Sequence, residues 1–224
     1  ADAERRVFKK PTRLETMMQD LPKLFTAEQR VGVAVFDRVW CFSANKNRVA
    51  DAVAKQLAGG PAESAATAEA DFYEAGRMRL RAAGMEVEDA AAVRVQGIEF
   101  VPGPRVLLRP SFAMRLSEVR ERVQGGAMAD EATLILDGPD IRLEQVELRG
   151  CSGLVISAVP GAVVTVRGRF ENAGFERVRL RGAGMADAAV PETVRMRGFR
   201  MVDRGAAVFR FDEPGSYVVT PECG

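Results

Sequence analysis

The sequence predicts an α/β segment followed by a β-rich region, and three observations predict it. A capped, amphipathic helix pattern starting at Thr12 is followed by a β-branched run at 31–43, the helix-then-strand order of a mixed sheet. A turn-rich stretch at 57–63, LAGGPAE, then interrupts the chain. From Val93 onward, short β runs separated by glycine and proline replace helical periodicity.

At the start of the chain, Thr12 and Glu15 form a T-x-x-E capping box, and Leu14, Met17, Met18 and Leu21 recur at helical spacing, with Pro22 ending the helix after about two and a half turns. Lys9, Lys10 and Arg13 gather positive charge at its start, where exposed N–H groups already favour an anion. The same pattern serves ordinary surface capping, so local physics identifies no ligand. VGVAVFDRVWCFS at 31–43 is expected to form one or two buried strands with a break at Asp37, the last unit of a mostly parallel sheet. Ligands of such sheets bind outside the carboxyl ends of the strands, which places Asp37 and the loop holding Lys46 at the candidate site.

Ser64 or Thr67 starts the next helix, with a stripe of Ala68, Phe72, Ala75, Gly76, Arg79 and Ala83 running to a terminator at Gly84. Arg77, Arg79 and Arg81 point in different directions on it and read as solvated. VRVQG and RVLLRP open the β region, and one short helix at 117–123, capped by Ser117 and ended by Gly125 and Gly126, interrupts it. TLILDG, VELRG, GLVISAVPG and VVTVRG then form a loose repeat of small apolar strand plus glycine turn. Stacked β-helix rungs and an antiparallel sandwich both have strands at this spacing. Arg149, Arg167, Arg169, Arg177, Arg179 and Arg181 alternate with apolar residues and are expected on the solvated face, without a site. The tail reads as strands at 208–211 and 217–220 around a turn at 212–216.

Composition sets limits. The 224 residues hold one large or two small cores, and 32 basic against 31 acidic side chains imply no general polyanion surface, so nucleic acid is not an expected partner. Cys41, Cys151 and Cys223 are odd in number and far apart, which argues against a disulfide framework or a zinc cluster and for a reducing, cytoplasmic setting. No run of about twenty apolar residues and no signal pattern stands in the chain, so no membrane role is expected. The absence of histidine excludes a Ser-His-Asp or Cys-His nucleophile within these residues.

FKKPTRLETMMQDLPK resembles the K-x-P-T-R-L-E-x-M-M-Q-D segment of UDP-sugar pyrophosphorylases, and ANKN at 44–47 and PETVRMRGFR at 191–200 resemble later segments of that family in the same order. The resemblance covers only the family's C-terminal portion, because the Gly-rich nucleotide-binding loop of those enzymes has no counterpart here. It implies a nucleotidyltransferase that forms UDP-sugars and pyrophosphate from UTP and sugar 1-phosphates, reversibly and with broad sugar specificity. The missing N-terminal portion would be its partner and would hold Mg²⁺, with no metal ligand expected in this chain.

The family also implies a fold class: the remnant of a nucleotidyltransferase-type mixed sheet at 1–62, a linker helix at 63–92 and a small β-helix domain at 93–224. By the same resemblance Lys46 is the catalytic candidate, since the matching lysine contacts the phosphates of the UDP-sugar. Asn47 matches beside it, whereas Ala44 and Asn45 depart from the family's P-V-K-N pattern. Glu15 and Asp37 are candidates for hydrogen bonds to sugar hydroxyls, because carboxylates accept two such bonds with fixed direction, although capping competes for Glu15. A compact ammonium stabilises charge developing on the α-phosphate, and a sugar 1-phosphate is already an oxyanion near neutral pH, so no histidine base is needed. The alternative is a non-catalytic β-helix module that mediates assembly.

Overall fold

The computed structural model describes residues 17–223. The chain divides into two units, the first ending at Phe36 and the second starting at Asp37.

In the first unit the capping box of Thr12 and Glu15 lies outside the described residues. A 3₁₀ turn at Met18–Leu24 buries no residue. It runs through Pro22 instead of stopping there, because its hydrogen bonds span three residues and make no use of the proline nitrogen. The Asp20 N–H donates to Met17 O (2.9 Å) and the Phe25 N–H to Pro22 O (3.1 Å). The strand expected over 31–43 is absent: residues 31–36 have no regular structure, with Val33, Val35 and Phe36 exposed by 87%, 89% and 70%. β-branched residues favour a strand only where a neighbouring strand takes up the backbone hydrogen bonds, and none pairs with this run among the described residues.

The second unit opens with two helices, α1 (Arg38–Cys41) and α2 (Val49–Leu57). Sequence periodicity did not reveal α2, which has no side-chain cap and buries only Ala52 completely. Helix α3 (Ala65–Ala82) begins as expected. The Ser64 hydroxyl accepts the Thr67 N–H, and the Thr67 hydroxyl accepts the Ser64 N–H. Its buried face is Ala66, Ala70, Gly76, Arg77 and Leu80, which shares only Gly76 with the expected stripe, and Phe72 is 56% exposed. In a helix this rich in alanine the small side chains do not mark one face by hydrophobicity, and tertiary contact decides. Gly76 shows the contact directly, since a Cβ there would stand 2.6 Å from Val106 O and 2.8 Å from the Val106 side chain.

Short strands come next: β1 (Glu86–Val87), the hairpin β2 (Val93–Val95) and β3 (Ile98–Phe100), and β4 (Arg105–Leu108). Helix α4 (Leu116–Arg122) is capped from the other side than expected. The Met114 and Arg115 N–H groups donate to the Glu118 carboxylate, which with the Arg115 guanidinium draws its pKa down to about 2. Gly125 and Gly126 do not terminate it but lie within β5 (Val123–Met128). The glycine-spaced runs then appear as β6 (Thr133–Asp137), β7 (Ile141–Leu148), β8 (Gly153–Ala158) and β9 (Ala162–Phe170).

After β9 the chain makes the antiparallel pair β10 (Gly174–Arg179) and β11 (Phe199–Gly205), with α5 (Ala183–Ala186) and α6 (Glu192–Arg197) between them. It then returns with β12 (Ala207–Phe211) and β13 (Gly215–Val219).

From β4 to β9, and again from β12 to β13, successive strands go to alternate sheets. One sheet has the order β1-β5-β7-β9-β13, the other β12-β8-β6-β4. Every pairing in both is parallel, so the antiparallel sandwich is not found, and the two tail strands are not a hairpin but join different sheets. Register aligns apolar side chains in ladders: Leu108, Leu136, Ile156 and Phe209 in one sheet, and Val123, Leu143, Val166 and Val219 in the other. Apart from the half-buried Phe209 these are buried, and each buried side chain contributes about 1.5–3 kcal/mol. They form the larger core with Phe112 and Leu80. A smaller core holds Ala52, Ala66, Ala70, Ile98, Phe100 and Phe199, so α3 contributes to both.

Gly76→Ala is expected to lower stability despite alanine's better helix propensity. Overpacking costs about 1–3 kcal/mol and a backbone carbonyl cannot step aside as a side chain can, whereas the propensity gain is about 1 kcal/mol. A urea midpoint equal to or above that of the parent would show that α3 and β4 part without cost.

Candidate functional site

The loop between α1 and α2 carries the expected lysine. Its backbone is pinned to the turn before α3: the Lys46 and Asn47 N–H groups both donate to Glu63 O (2.9 and 3.1 Å), and the Asn47 amide donates to Ala62 O (2.8 Å). Glu63 has a left-handed backbone, φ +48°, directly before the buried cap Ser64. The turn that holds the loop is thus itself fixed by the start of a long helix. Asn47 serves this anchoring with its side chain, and Lys46 is left exposed with its ammonium 5.6 Å from the ring centre of Phe42.

The same ring carries a second cation, the Arg38 guanidinium at 4.9 Å. Arg38 also pairs with the Glu63 carboxylate (3.1 Å), whose other oxygen accepts from Lys55 (2.5 Å). The hydrogen bond from Lys55 first, then the charges of Lys55 and Lys46 and the bond from Arg38, hold the Glu63 carboxyl below the usual carboxylate range against the opposing effect of burial. Asp37 stands one residue before Arg38, and its carbonyl accepts from the Trp40 N–H (3.1 Å) and the Cys41 thiol (3.3 Å), so it opens α1. Glu15 lies outside the described residues.

Arg38, Phe42 and Glu63 line a cleft of about 610 Å³ whose other walls include Asp71, Glu74 and Phe100. Lys46 does not line it; its ammonium lies 5.6 Å from the ring centre of Phe42, which does. The Ser43 hydroxyl donates to Asp71 (2.8 Å), while Glu74 pairs with Arg77 and Arg81. Among the described residues no group of three or more His, Cys, Asp or Glu is placed to hold a metal ion.

A second hollow, of about 420 Å³, brings together the stretches at 44–47 and 191–200: Asn45, Glu69, Thr193, Val194, Met196 and Arg197 line it. Arg197 donates to Glu69 (2.8 Å) and to Phe199 O (2.9 Å) and lies 4.8 Å over the Phe199 ring. Two of the arginines expected in solvent, Arg77 and Arg177, are instead buried and half-buried, whereas Arg167, Arg169, Arg179 and Arg181 are exposed as expected. Arg77 is 3% exposed and donates to Pro104 O (2.7 Å), and Arg177 lies 5.5 Å over Phe199 with a buried Nε that has no protein partner. Arg105, 6% exposed, donates from Nε to the Thr133 hydroxyl (2.8 Å) and from Nη2 to Glu131 O (2.9 Å) and Phe175 O (3.0 Å). Burial, and then the like charge of Arg177, lower its pKa to about 10. The Tyr73 phenol donates to Glu69 (2.9 Å) and is pushed well above its usual range by burial and then by that carboxylate.

The sequence points to Lys46 and Asn47 and gives no mark to Arg38 and Phe42, which the structure places beside them with Glu63. The only signal for Glu63 was its place immediately before a helix cap, and for Arg38 there was none.

No family model matches the sequence. The chain is similar to the UDP-sugar pyrophosphorylase of Arabidopsis thaliana, 30% identical over 219 residues that make up 97% of this chain and 35% of the relative. It is also 30% identical over 200 residues to the UDP-sugar pyrophosphorylases of Oryza sativa subsp. indica and subsp. japonica, which cover 89% of this chain and 32% of each relative. The chain therefore spans about a third of the length of the curated relatives it matches.

Proposed function

From its likeness to UDP-sugar pyrophosphorylases over nearly all its length, we propose that the chain is the C-terminal part of a uridylyltransferase, which acts reversibly on UTP and a range of sugar 1-phosphates. In that reaction a phosphate oxygen of the sugar 1-phosphate attacks the α-phosphorus of UTP, the bond to the β-phosphate bridging oxygen breaks, and pyrophosphate leaves. Lys46 supplies a point charge to the oxygens of the phosphorus under attack. The observation that carries this reading is the double anchoring of the Lys46 loop, whose two N–H groups share the Glu63 carbonyl. Such a backbone clamp places the root of a flexible side chain without engaging its ammonium.

Asp37 and Asn47 are proposed to act near the sugar and Glu15 with them. Magnesium and uridine would be held by residues outside this chain. Residues 1–62 would end the catalytic domain, 63–92 would link it and 93–224 would form a β-helix-like domain. The alternation of parallel strands between two sheets supports that last assignment, and the place of α3 in both cores fits a linking helix. No helix among the described residues is long and apolar enough to cross a membrane, which is compatible with a cytoplasmic enzyme.

The test is pyrophosphate release from UTP with a panel of sugar 1-phosphates. The natural-length protein is expected to turn over, and residues 1–224 alone are expected not to, for want of a Gly-rich loop to hold the triphosphate. A natural-length protein inactive on every sugar 1-phosphate would sink the reading, and activity of the 224 residues alone would refute the assignment of triphosphate binding elsewhere.

A further inference from the structure

We propose that Arg38 is a second anion-binding residue, which acts with Lys46, the two cations sharing the Phe42 ring, to hold the diphosphate of a nucleotide sugar beside the 610 Å³ cleft. The proposal rests on Lys46 being the phosphate-binding lysine of a uridylyltransferase and adds a residue that no sequence motif marks.

Charge supports it. Arg38, Lys46 and Lys55 face the single Glu63 carboxylate, so the cluster carries an excess of two positive charges. Three of the cleft's other acidic residues are paired with cations outside the cluster, Glu74 with Arg77 and Arg81, Asp89 with Arg81 and Glu99 with Arg94, while Asp71 accepts from the neutral Ser43 hydroxyl and keeps its charge.

Geometry supports it as well. The side chain of Arg38 is 59% exposed, and its ion pair to Glu63 engages one terminal nitrogen, leaving the rest of the guanidinium fork available. A guanidinium lying over an aromatic ring has its plane fixed in advance, and two parallel N–H groups match the spacing of phosphate oxygens. Lys46 is anchored through its backbone and Arg38 through Phe42 and Glu63, so each cation is held by a different support.

The natural-length protein and its variants are to be titrated with UDP-glucose, and separately with inorganic pyrophosphate, by calorimetry, with kcat and KM measured in parallel. Loss of one charge-assisted contact predicts that Arg38→Ala raises the UDP-glucose Kd by roughly tenfold to a hundredfold, with Arg38→Lys recovering part of it. Glu63→Gln retains the backbone carbonyl that anchors Lys46 but removes the ion pair that helps to hold Arg38, and is expected to weaken binding less than Arg38→Ala does. Arg38→Gln preserves the stem over Phe42 and carries the same test where the alanine variant does not fold.

A Kd for Arg38→Ala within twofold of the parent, with Lys46→Ala slowed, overturns the role of Arg38 and leaves that of Lys46. A Glu63→Gln variant that weakens binding as much as Arg38→Ala also overturns it, since Arg38 would then act only by holding Glu63. No effect from either Arg38→Ala or Lys46→Ala means that the reading of the site itself has failed.

Discussion

Lys46→Ala in the natural-length protein is expected to lower kcat by roughly 10² or more, the scale of losing one preorganised group aimed at a developing oxyanion. The backbone clamp makes this a clean test. The two N–H groups that fix the loop belong to the main chain and survive the substitution, so the change removes the ammonium and little else. A lysine that bound phosphate equally in the ground and transition states would instead raise KM and leave kcat nearly untouched. Lys46→Arg should restore only part of the rate, because a planar fork does not reproduce a compact point charge. Near-parental kcat and KM for Lys46→Ala, with unchanged circular dichroism, would take Lys46 out of the chemistry and put a non-catalytic assembly module ahead.

The largest effect on stability is expected from Arg105→Ala, with a loss of about 3 kcal/mol or more. Three acceptors depend on this one guanidinium: the Thr133 hydroxyl and the carbonyls of Glu131 and Phe175, which come from β6, the turn before it and β10. Truncation leaves the buried Thr133 hydroxyl and the two part-buried carbonyls without that donor and opens a hole at the start of β4. The cation itself is costly to bury, as its lowered pKa of about 10 shows, so the arginine is retained for the three segments it joins and not for its charge. Arg105→Met fills the space but supplies no donor, and should fall between parent and alanine. A denaturation midpoint for Arg105→Ala equivalent to less than about 1 kcal/mol of destabilisation would mean that water satisfies those carbonyls in the folded protein.

The β runs were legible because each carries its own signals. Thr133–Asp137, Ile141–Leu148, Gly153–Ala158 and Ala162–Phe170 have small apolar strands and glycine turns within a few residues, and local chemistry suffices. The run at 31–36 carries equally strong propensity and forms no strand, since pairing is supplied from outside the segment and propensity does not report it. The buried face of α3 was illegible for a related reason: alanines at 66, 68, 70 and 75 look alike until one knows that Val106 approaches Gly76. Arg77 looks solvated in the sequence and Arg105 carries no mark there, because burial of a guanidinium depends on carbonyls contributed by distant segments, here Pro104, Glu131 and Phe175.

At the candidate site, a four-residue resemblance is all that singles out Lys46 and Asn47. Arg38 reaches Glu63 across 25 positions, a separation at which no spacing rule operates.

The excursion at 171–206 also bears on how this protein tolerates change in length. The chain leaves the paired sheets after β9 and returns at β12 in parallel register with β8, so strand order on either side is indifferent to how much polypeptide lies between. Extra residues at the exposed turn around Asp187 and Ala189 add only loop-closure entropy, about 0.6 kcal/mol for each doubling of the loop. The place where β9 hands over to β12 is therefore the natural point for grafting a tag, a reporter or a whole foreign domain, whereas a single residue inserted within β6 or β8 would turn an apolar ladder inside out.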